Sequence, residues 1–176
     1  MHNRKLIKIR QEKENISNFD QKIFFKDYQN DFVERVSLIN EEFENSLAFG
    51  FRGSKLEFSK NVKNVIYGNL GKSNKTNIIY DEELIPFKES SLDLIMSFFN
   101  LHFANDVPGI LYQTLRSLKP NGLFIASMFC ENTLQELNYS FIKAEEEICG
   151  GMSPRVSPFA KLQALASLMQ EINFSL

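Results

Sequence analysis

Leu92-Asp-Leu-Ile-Met-Ser-Phe98 is a nearly continuous apolar run, which is typical of a parallel strand covered on both faces. An acidic cluster, Asp81-Glu-Glu83, precedes it at the end of another predicted strand. The turn Leu118-Lys-Pro-Asn-Gly122 follows it and leads into a further buried strand, from Gly122 to Met128. A helix fits between the two buried strands. Strand, helix and strand in this order predict a parallel sheet.

The rest of the chain continues this alternation of helices and strands. Asp106 can cap the helix before the turn, and Pro108 suits its first turn because a proline there loses no hydrogen bond. Further strands are predicted at 46–50, 64–67 and 77–80, and further helices at 15–40, 133–148 and 157–169. The pattern predicts an α/β domain with a mostly parallel sheet and helices on both faces.

The connection between the second and third strands is short. It consists of the polar, turn-like segment Gly68–Thr76. A parallel crossover needs about a dozen residues or more, so we expect its helix to be missing or reduced to a turn. Residues 1–17 are predicted to form a basic N-terminal segment, and residues 18–176 a single domain.

Composition narrows the class of protein. The chain has 176 residues, of which 43% are hydrophobic and 17 are Phe, as expected of a globular domain. A net charge of -2 gives no reason to expect a nucleic-acid groove. No window reaches the ~18 apolar residues of a membrane span. Cys130 and Cys149 lie far apart without a CxxC spacing, so we expect unpaired thiols in a reducing, cytoplasmic compartment and no metal site.

These motifs resemble those of class I S-adenosylmethionine-dependent methyltransferases of the methyltransferase-11 type. The resemblance implies a Rossmann-like methyltransferase fold, shortened between strands two and three and truncated at the C-terminus. A narrower resemblance is to a subgroup that contains bacterial biotin-synthesis methyltransferase-like proteins and the mitochondrial complex I assembly factor with a methyltransferase fold. The residues that carry the broader resemblance are Asp81-Glu-Glu83, Pro86-Phe87, Leu92-Asp-Leu94, Leu101-His-Phe103, Asn105-Asp106 and Leu118-Lys-Pro-Asn-Gly122. Those that carry the narrower one are Thr133-Leu-Gln-Glu-Leu137, Glu145-Glu-Glu147, Gly150-Gly151 and Ser153-Pro-Arg-Val-Ser-Pro-Phe159.

The resemblance also implies a site for S-adenosylmethionine. Gly50 and Gly53 match the glycine loop after the first strand, where the absence of a Cβ lets the cofactor approach the backbone. Asp81 and Glu82 match the acids on the adenine side. The pocket wall would be formed by Phe99, Asn100 and His102, with His102 as the candidate catalytic base.

The sequence departs from the family pattern at the first two strands. Ala48 stands where the family has an acid, and Tyr67 is followed by Gly68 and Asn69 rather than by the acid that holds the ribose. The bulky Phe51 and Arg52 are expected where the cofactor should approach.

Three functions therefore stay open. The first is a methyltransferase that acts on a small-molecule, acyl or protein substrate. The second is a protein similar to the complex I assembly factor, which modifies an arginine. The third is a non-catalytic or truncated scaffold. Expected partners are a protein substrate or a second copy of the chain, paired through the open sheet edge at strand 122–128.

Other polar residues have simpler interpretations. Asp93 is expected to make hydrogen bonds at the end of its strand. Glu145, Glu146 and Glu147 are expected to form a solvated helix face. Arg155 lies in a proline-punctuated loop and is a candidate contact for an acidic substrate.

Overall fold

The computed structural model describes residues 2–14, 23–51, 56–58, 60–72 and 76–175. The chain forms two compact units, residues 1–128 and residues 129–176. The predicted boundary at residue 18 stays a prediction. Within the described ranges, no helix combines the length and the apolar character that crossing a bilayer requires.

The first unit is built on a five-stranded parallel sheet with the order β3-β2-β1-β4-β5. The parallel α/β class predicted from the sequence is confirmed. Chain order reverses between the two neighbours of β1, and ligands bind at the carboxyl ends of strands at such a point. The strands are β1 (Ser46–Phe49), β2 (Val65–Asn69), β3 (Ile78–Ile79), β4 (Leu92–Phe98) and β5 (Leu118–Ser127), and the helices are α1 (Arg4–Glu14), α2 (Ile23–Ser37) and α3 (Val107–Ser117).

The two central strands form the core. β1 is buried along its whole length, and Ala48 pairs with Tyr67 of β2 on one side and with Met96 of β4 on the other. In β4, the side chains of Leu94, Ile95 and Met96 have no exposed surface. A strand paired on both edges and covered on both faces requires apolar residues at consecutive positions, which explains the pattern in the sequence.

The turn after α3 is a bulge within β5. The Asp106 carboxylate accepts a hydrogen bond from the Gly109 N–H at 2.9 Å and caps α3, as predicted. Leu92 of β4 pairs with Leu118, but Leu94 already pairs with Leu123, so the intervening residues loop out of the ladder. β5 lies at one edge of the sheet, and the expected pairing of a second copy there stays a prediction.

The connection between β2 and β3 is as short as expected. Only residues 70–77 join the two strands, and the described residues among them contain no helix. The Tyr80 ring lies over Gly68, where a Cβ would come within 2.1 Å of a ring carbon. Glycine at this position therefore lets the chain return closely beside β2.

Asp93 joins three segments at the start of β4, which confirms its predicted role in strand-end hydrogen bonding. Its carboxylate accepts hydrogen bonds from the Asn45 N–H at 2.9 Å and from Lys119 Nζ at 3.0 Å. Burial acts to raise the pKa of Asp93, but these hydrogen bonds and the charge of Lys119 outweigh it and hold the pKa below its usual value.

The second unit contains α4 (Gln135–Cys149) and α5 (Leu162–Glu171). Gly150, in the left-handed conformation, ends α4 as predicted. The expectation that α5 begins at Ser157 or Pro158 is wrong: the helix begins at Leu162, because its first N–H is satisfied there by Glu131 Oε2 at 2.9 Å.

The solvent exposure of the apolar residues of α4 also differs from expectation. The predicted apolar side is exposed, with Leu134, Leu137, Phe141 and Ile148 all at least 41% exposed. Helical spacing identifies an apolar face, but it does not determine what covers that face.

The Asp93 contacts predict a pH-dependent loss of stability on substitution. Because the folded-state pKa is lowered, the carboxylate stabilises the fold above its usual value of 3.8, and this contribution disappears as the pH falls through the folded-state pKa. Asp93→Asn should lower the free energy of unfolding by about 1 kcal/mol at pH 7. The difference from the wild type should shrink below pH 4, as measured by urea unfolding across pH.

Asp27→Asn, an exposed change of the same charge on α2, should leave the midpoint unchanged. Equal midpoints for the two variants at pH 7 would contradict this role of Asp93.

Candidate functional site

The candidate site is the sheet rim, by which we mean the residues at and just after the carboxyl ends of β1 to β4. Because the strands are parallel, these ends lie along the same edge of the sheet. The rim comprises Gly50, Phe51, Asn69, Asp81, Glu82, Glu83, Phe99, Asn100 and His102. Most of the residues predicted from the sequence are therefore on this edge. Gly53 and Arg52 lie outside the described residues.

Gly50 is placed where no other residue fits. Its φ of +78° lies in the left-handed region, and a Cβ built on it would lie 2.3 Å from the Phe98 carbonyl oxygen and 2.7 Å from Asn100 Cβ. The end of β1 therefore packs directly against the residues that follow β4. Glycine is required here for the contact between strands, irrespective of any ligand.

Asn69, the last residue of β2, fixes the loop after β1. Its side-chain carbonyl oxygen accepts a hydrogen bond from the Gly50 N–H at 3.2 Å. Its amide nitrogen donates to the Phe51 carbonyl at 3.2 Å and to Thr76 Oγ1 at 3.3 Å. Sequence reasoning noted only that an acid was absent here and missed this role of the amide. An amide can both accept and donate, whereas a carboxylate can only accept.

Phe51 belongs to an aromatic cluster in the core, contrary to the expectation that it projects where a cofactor would approach. Only 3% of its surface is exposed. Its ring stacks on Phe98 with centroids 5.0 Å apart, and Phe32 of α2 meets the Phe51 ring edge-on at 5.5 Å. Such pairs stabilise beyond the area that they bury, so the residue turns inward.

The acids after β3 hold an arginine from α1. Arg4 Nη2 lies 2.5 Å from Asp81 Oδ1 and 2.7 Å from Glu82 Oε1, and Arg4 Nη1 lies 3.4 Å from the Phe103 carbonyl oxygen. Glu83 contributes a longer contact, at 3.9 Å from Arg4 Nε. Sequence reasoning missed Arg4, which it noted only as part of a basic N-terminal segment.

The electrostatics of Arg4 follow from this enclosure. Burial acts to lower the pKa of Arg4, but the hydrogen bonds and charges of Asp81 and Glu82 outweigh it, so the pKa is raised. The guanidinium is therefore charged at every accessible pH. It compensates the Glu82 carboxylate, which is only 4% exposed and whose burial would otherwise be costly.

Further contacts hold α1 along the rim. At its start, the His2 N–H donates to Asn105 Oδ1 at 2.6 Å. Near its end, Gln11 Oε1 accepts a hydrogen bond from the Gly71 N–H at 3.1 Å. The helix therefore contacts residues that follow β2, β3 and β4.

The residues after β4 differ in their surroundings. Phe99 has a φ of +43° and meets Tyr28 of α2 edge-on at 5.6 Å. Asn100 is 2% exposed, and its Oδ1 accepts no hydrogen bond from the described residues. The His102 ring packs against Phe103 with centroids 4.1 Å apart, and both of its nitrogens are shielded from solvent. The role of His102 as a base stays a prediction.

Two polar groups in the second unit, described by itself, are paired with each other. Arg155 Nη2 lies 2.5 Å from Glu145 Oε1, and the Ser153 N–H donates to Glu145 Oε2 at 2.7 Å. These hydrogen bonds lower the pKa of Glu145. The prediction of a solvated face is wrong for Glu145, whose side chain is 14% exposed and organises its loop, whereas Glu146 and Glu147 are exposed as predicted. Among the described residues of the chain, no group of three or more acids, histidines or cysteines is arranged to hold a metal ion.

Comparison with known proteins gives consistent matches. Residues 51–126 match the methyltransferase domain family. The human protein "Arginine-hydroxylase NDUFAF5, mitochondrial" is 44% identical over 98 residues, which cover 56% of this chain and 28% of that protein. A Rickettsia prowazekii protein named "Putative methyltransferase RP459" is 34% identical over 100 residues, covering 56% of this chain and 43% of that one. The structure of a Thermotoga maritima SAM-dependent methyltransferase has a TM-score of 0.61 at 15% identity, covering 95% of this chain and 81% of that one.

The extent of these matches is limited. The aligned part covers less than a third of the human relative. The likeness to the solved structure, at 15% identity, concerns the fold alone.

The crowding at Gly50 predicts a large cost of substitution. Gly50→Ala should lower the free energy of unfolding by about 3 kcal/mol or more, because backbone strain adds to a clash with the Phe98 carbonyl. Gly150→Ala is the matched control, since Gly150 has a φ of +66° but no atom within 4 Å of a built Cβ. It should cost only about 1 kcal/mol. Urea unfolding followed by circular dichroism measures both, and similar losses for the two variants would mean that the close approach is unimportant.

Proposed function

We propose that this chain, whose residues 51–126 match the methyltransferase domain family, binds S-adenosylmethionine at the sheet rim. The observation that carries the proposal is the pair Asp81 and Glu82. Asp81 accepts a hydrogen bond from the planar guanidinium of Arg4, and Glu82 forms an ion pair with the same group. When bound, S-adenosylmethionine would supply an electrophilic methyl group.

The adenine side of the rim fits the cofactor. An adenine ring presents an exocyclic amine, and a carboxylate accepts hydrogen bonds from such a group as it does from a guanidinium. Asp81 would orient the base through this contact. Asn100 Oδ1, a buried acceptor close to Gly50, supports the presence of a further donor on the ligand, because buried polar atoms normally have partners.

The ribose side fits less well. Asn69 stands at the end of β2, and its amide is engaged with the protein's own Gly50, Phe51 and Thr76. No carboxylate follows β2 in the described residues to accept two ribose hydroxyls. We therefore propose binding that is weaker than in relatives with an acid at this position, because hydrogen bonds to charged groups are about twice as strong as neutral ones.

The chain's own groups would chiefly align the reactants and exclude water. Methyl transfer depends mainly on proximity and orientation, and the aromatic rings around Phe98 and Phe99 provide a dry wall. The shielded nitrogens of His102 give no support for a solvent-accessible base. We propose a substrate that carries an arginine side chain, in line with the human relative, whose name describes an arginine hydroxylase.

A second candidate function follows from the occupant of the rim. Asp81, Glu82 and the Phe103 carbonyl hold a guanidinium in this chain. We propose, as the alternative, that the same groups bind an arginine of a partner protein.

A cytoplasmic location is also proposed, and its support is that neither Cys130 nor Cys149 is in a disulfide.

The amine contact predicts discrimination between two ligands. S-adenosylhomocysteine, which lacks only the methyl group, should bind saturably, whereas S-inosylhomocysteine should bind about tenfold more weakly. Inosine carries a carbonyl oxygen in place of the amine, and the carboxylate of Asp81 would repel it. Isothermal titration with each ligand measures the ratio.

The control is Asp81→Ala, which should remove the discrimination, compared with Glu89→Gln, an exposed acid that pairs with Arg116, which should preserve it. The proposal fails if neither the wild type nor Arg4→Ala binds S-adenosylhomocysteine at millimolar concentration. In that case a non-catalytic scaffold is the better description, and titration with an arginine-containing peptide against its lysine counterpart tests the alternative.

A further inference from the structure

We infer that α1 is a cis-acting strap that competes with ligands for the sheet rim. Arg4 holds Asp81 and Glu82 in the resting chain, and it must leave before a ligand amine can use the same carboxylates. The inference rests on the proposed function, since it concerns the regulation of that site. This regulation depends on the fold, because Arg4 pairs with Asp81, which lies 77 positions away in the sequence.

Arg4 occupies the space beside Asp81 and Glu82 that a ligand amine would need. Arg4 Nη2 lies within 2.7 Å of an oxygen from each of Asp81 and Glu82. Its Nε also faces Asp81 Oδ2 at 3.4 Å, so both oxygens of this carboxylate are engaged. A second planar donor cannot occupy the same positions. Asp81 Oδ1 also accepts a hydrogen bond from the Glu83 N–H at 3.1 Å, so an amine that binds Asp81 from the side of Arg4 must displace Arg4.

A small number of contacts hold α1 on the sheet rim. The contacts that hold α1 lie at or near its two ends. Arg4 and, just before the helix, His2 make polar contacts at the start, where the His2 ring also meets Phe103 edge-on, and Gln11 and Glu12 make polar contacts near the end. Two of its apolar side chains are poorly covered, since Leu6 is 50% exposed and Ile9 is 39% exposed, whereas Ile7 is partly buried. A helix that buries little apolar surface gains little from the hydrophobic effect. The hydrophobic effect therefore contributes little to holding the strap, and the ion pairs of Arg4 contribute most, so a ligand must replace these pairs when it displaces the helix.

The C-terminal half of α1 packs closely against Gly71. Gly71 lies so close to α1 that a Cβ would be 3.0 Å from Glu12 Cγ and 3.1 Å from the Lys8 carbonyl oxygen. The lack of a side chain at Gly71 lets the helix settle onto the segment after β2. A methyl group at this position would crowd Glu12 and the Lys8 carbonyl and loosen the seat of α1, without touching Asp81, Glu82 or Arg4. This gives a second route to the same release, independent of the charge of the arginine.

The strap also has an ionic-strength signature. Added salt weakens the partly exposed Arg4–Asp81 pair, in which the aspartate side chain is 31% exposed. Arg4 then competes less strongly with a ligand, and Asp81 and Glu82 can bind the ligand in a larger fraction of the molecules. A ligand that is neutral overall should therefore bind more tightly to the wild type as salt rises, which is the reverse of the usual effect of screening.

The test measures the affinity of S-adenosylhomocysteine for four proteins: the wild type, Arg4→Ala, Gly71→Ala and Arg10→Ala. Arg10 is an exposed arginine on the same helix and serves as the matched control. Arg4→Ala should bind about tenfold more tightly, as expected when a strapped state occupies about nine-tenths of the population. Gly71→Ala should bind more tightly as well, and Arg10→Ala should equal the wild type. The salt effect should disappear in Arg4→Ala.

Hydrogen exchange provides a readout besides affinity. Saturation of the wild type with S-adenosylhomocysteine should accelerate amide exchange in residues 4–14, because the helix leaves the rim. Affinities of Arg4→Ala and Gly71→Ala equal to that of the wild type, with binding intact, would overturn the strap and leave the proposed function standing. Absence of binding in all four proteins would instead overturn the proposed function. Circular dichroism establishes that each variant is folded.

Discussion

The close approach of β1 to the end of β4 is the constraint on which the rest of the rim depends. Gly50 brings its backbone against the Phe98 carbonyl and the Asn100 side chain, so β1 can remain buried to its last residue. Once the chain turns there, the Gly50 N–H needs an acceptor, and Asn69 of the neighbouring strand provides it. Phe51 follows at once and is drawn into the aromatic core. A single glycine thus fixes the positions of the groups after β1, β2 and β4.

Charge compensation imposes the second constraint. A buried carboxylate such as Glu82 destabilises a fold unless an opposite charge or several hydrogen bonds satisfy it. Arg4 supplies the charge, and in doing so it couples α1 to the residues after β3. The same need can be met by a donor from outside the chain. The acids therefore link the stability of the rim to its occupancy.

Local patterns predicted most of the fold. Leu92–Phe98 reads as a buried strand because consecutive apolar residues have one plausible place in a parallel sheet, and Asp106 predicts a helix start because its hydrogen bond is made within three residues. The start of α5 could not be predicted, since it depends on Glu131, thirty-one positions earlier. Likewise, the pairing of Arg4 with Asp81 depends on the fold bringing distant charges together. The inward turn of Phe51 depends on Phe32 and Phe98, which periodicity does not connect.

The candidate site shows why this difference matters for function. A resemblance assigns roles to positions, and Asp81 has the residue type that its position requires. Its actual environment is decided by a residue that no motif includes. Because Arg4 is tethered to the acids, its effective concentration at the rim does not fall on dilution. The occupancy of a free ligand therefore depends on its own concentration and on its affinity relative to that of Arg4. An acid that matches a family pattern is therefore evidence of binding capacity only when the chain's own cations are also located. Among the described residues, Arg4 lies on the same carboxylates that a ligand would need.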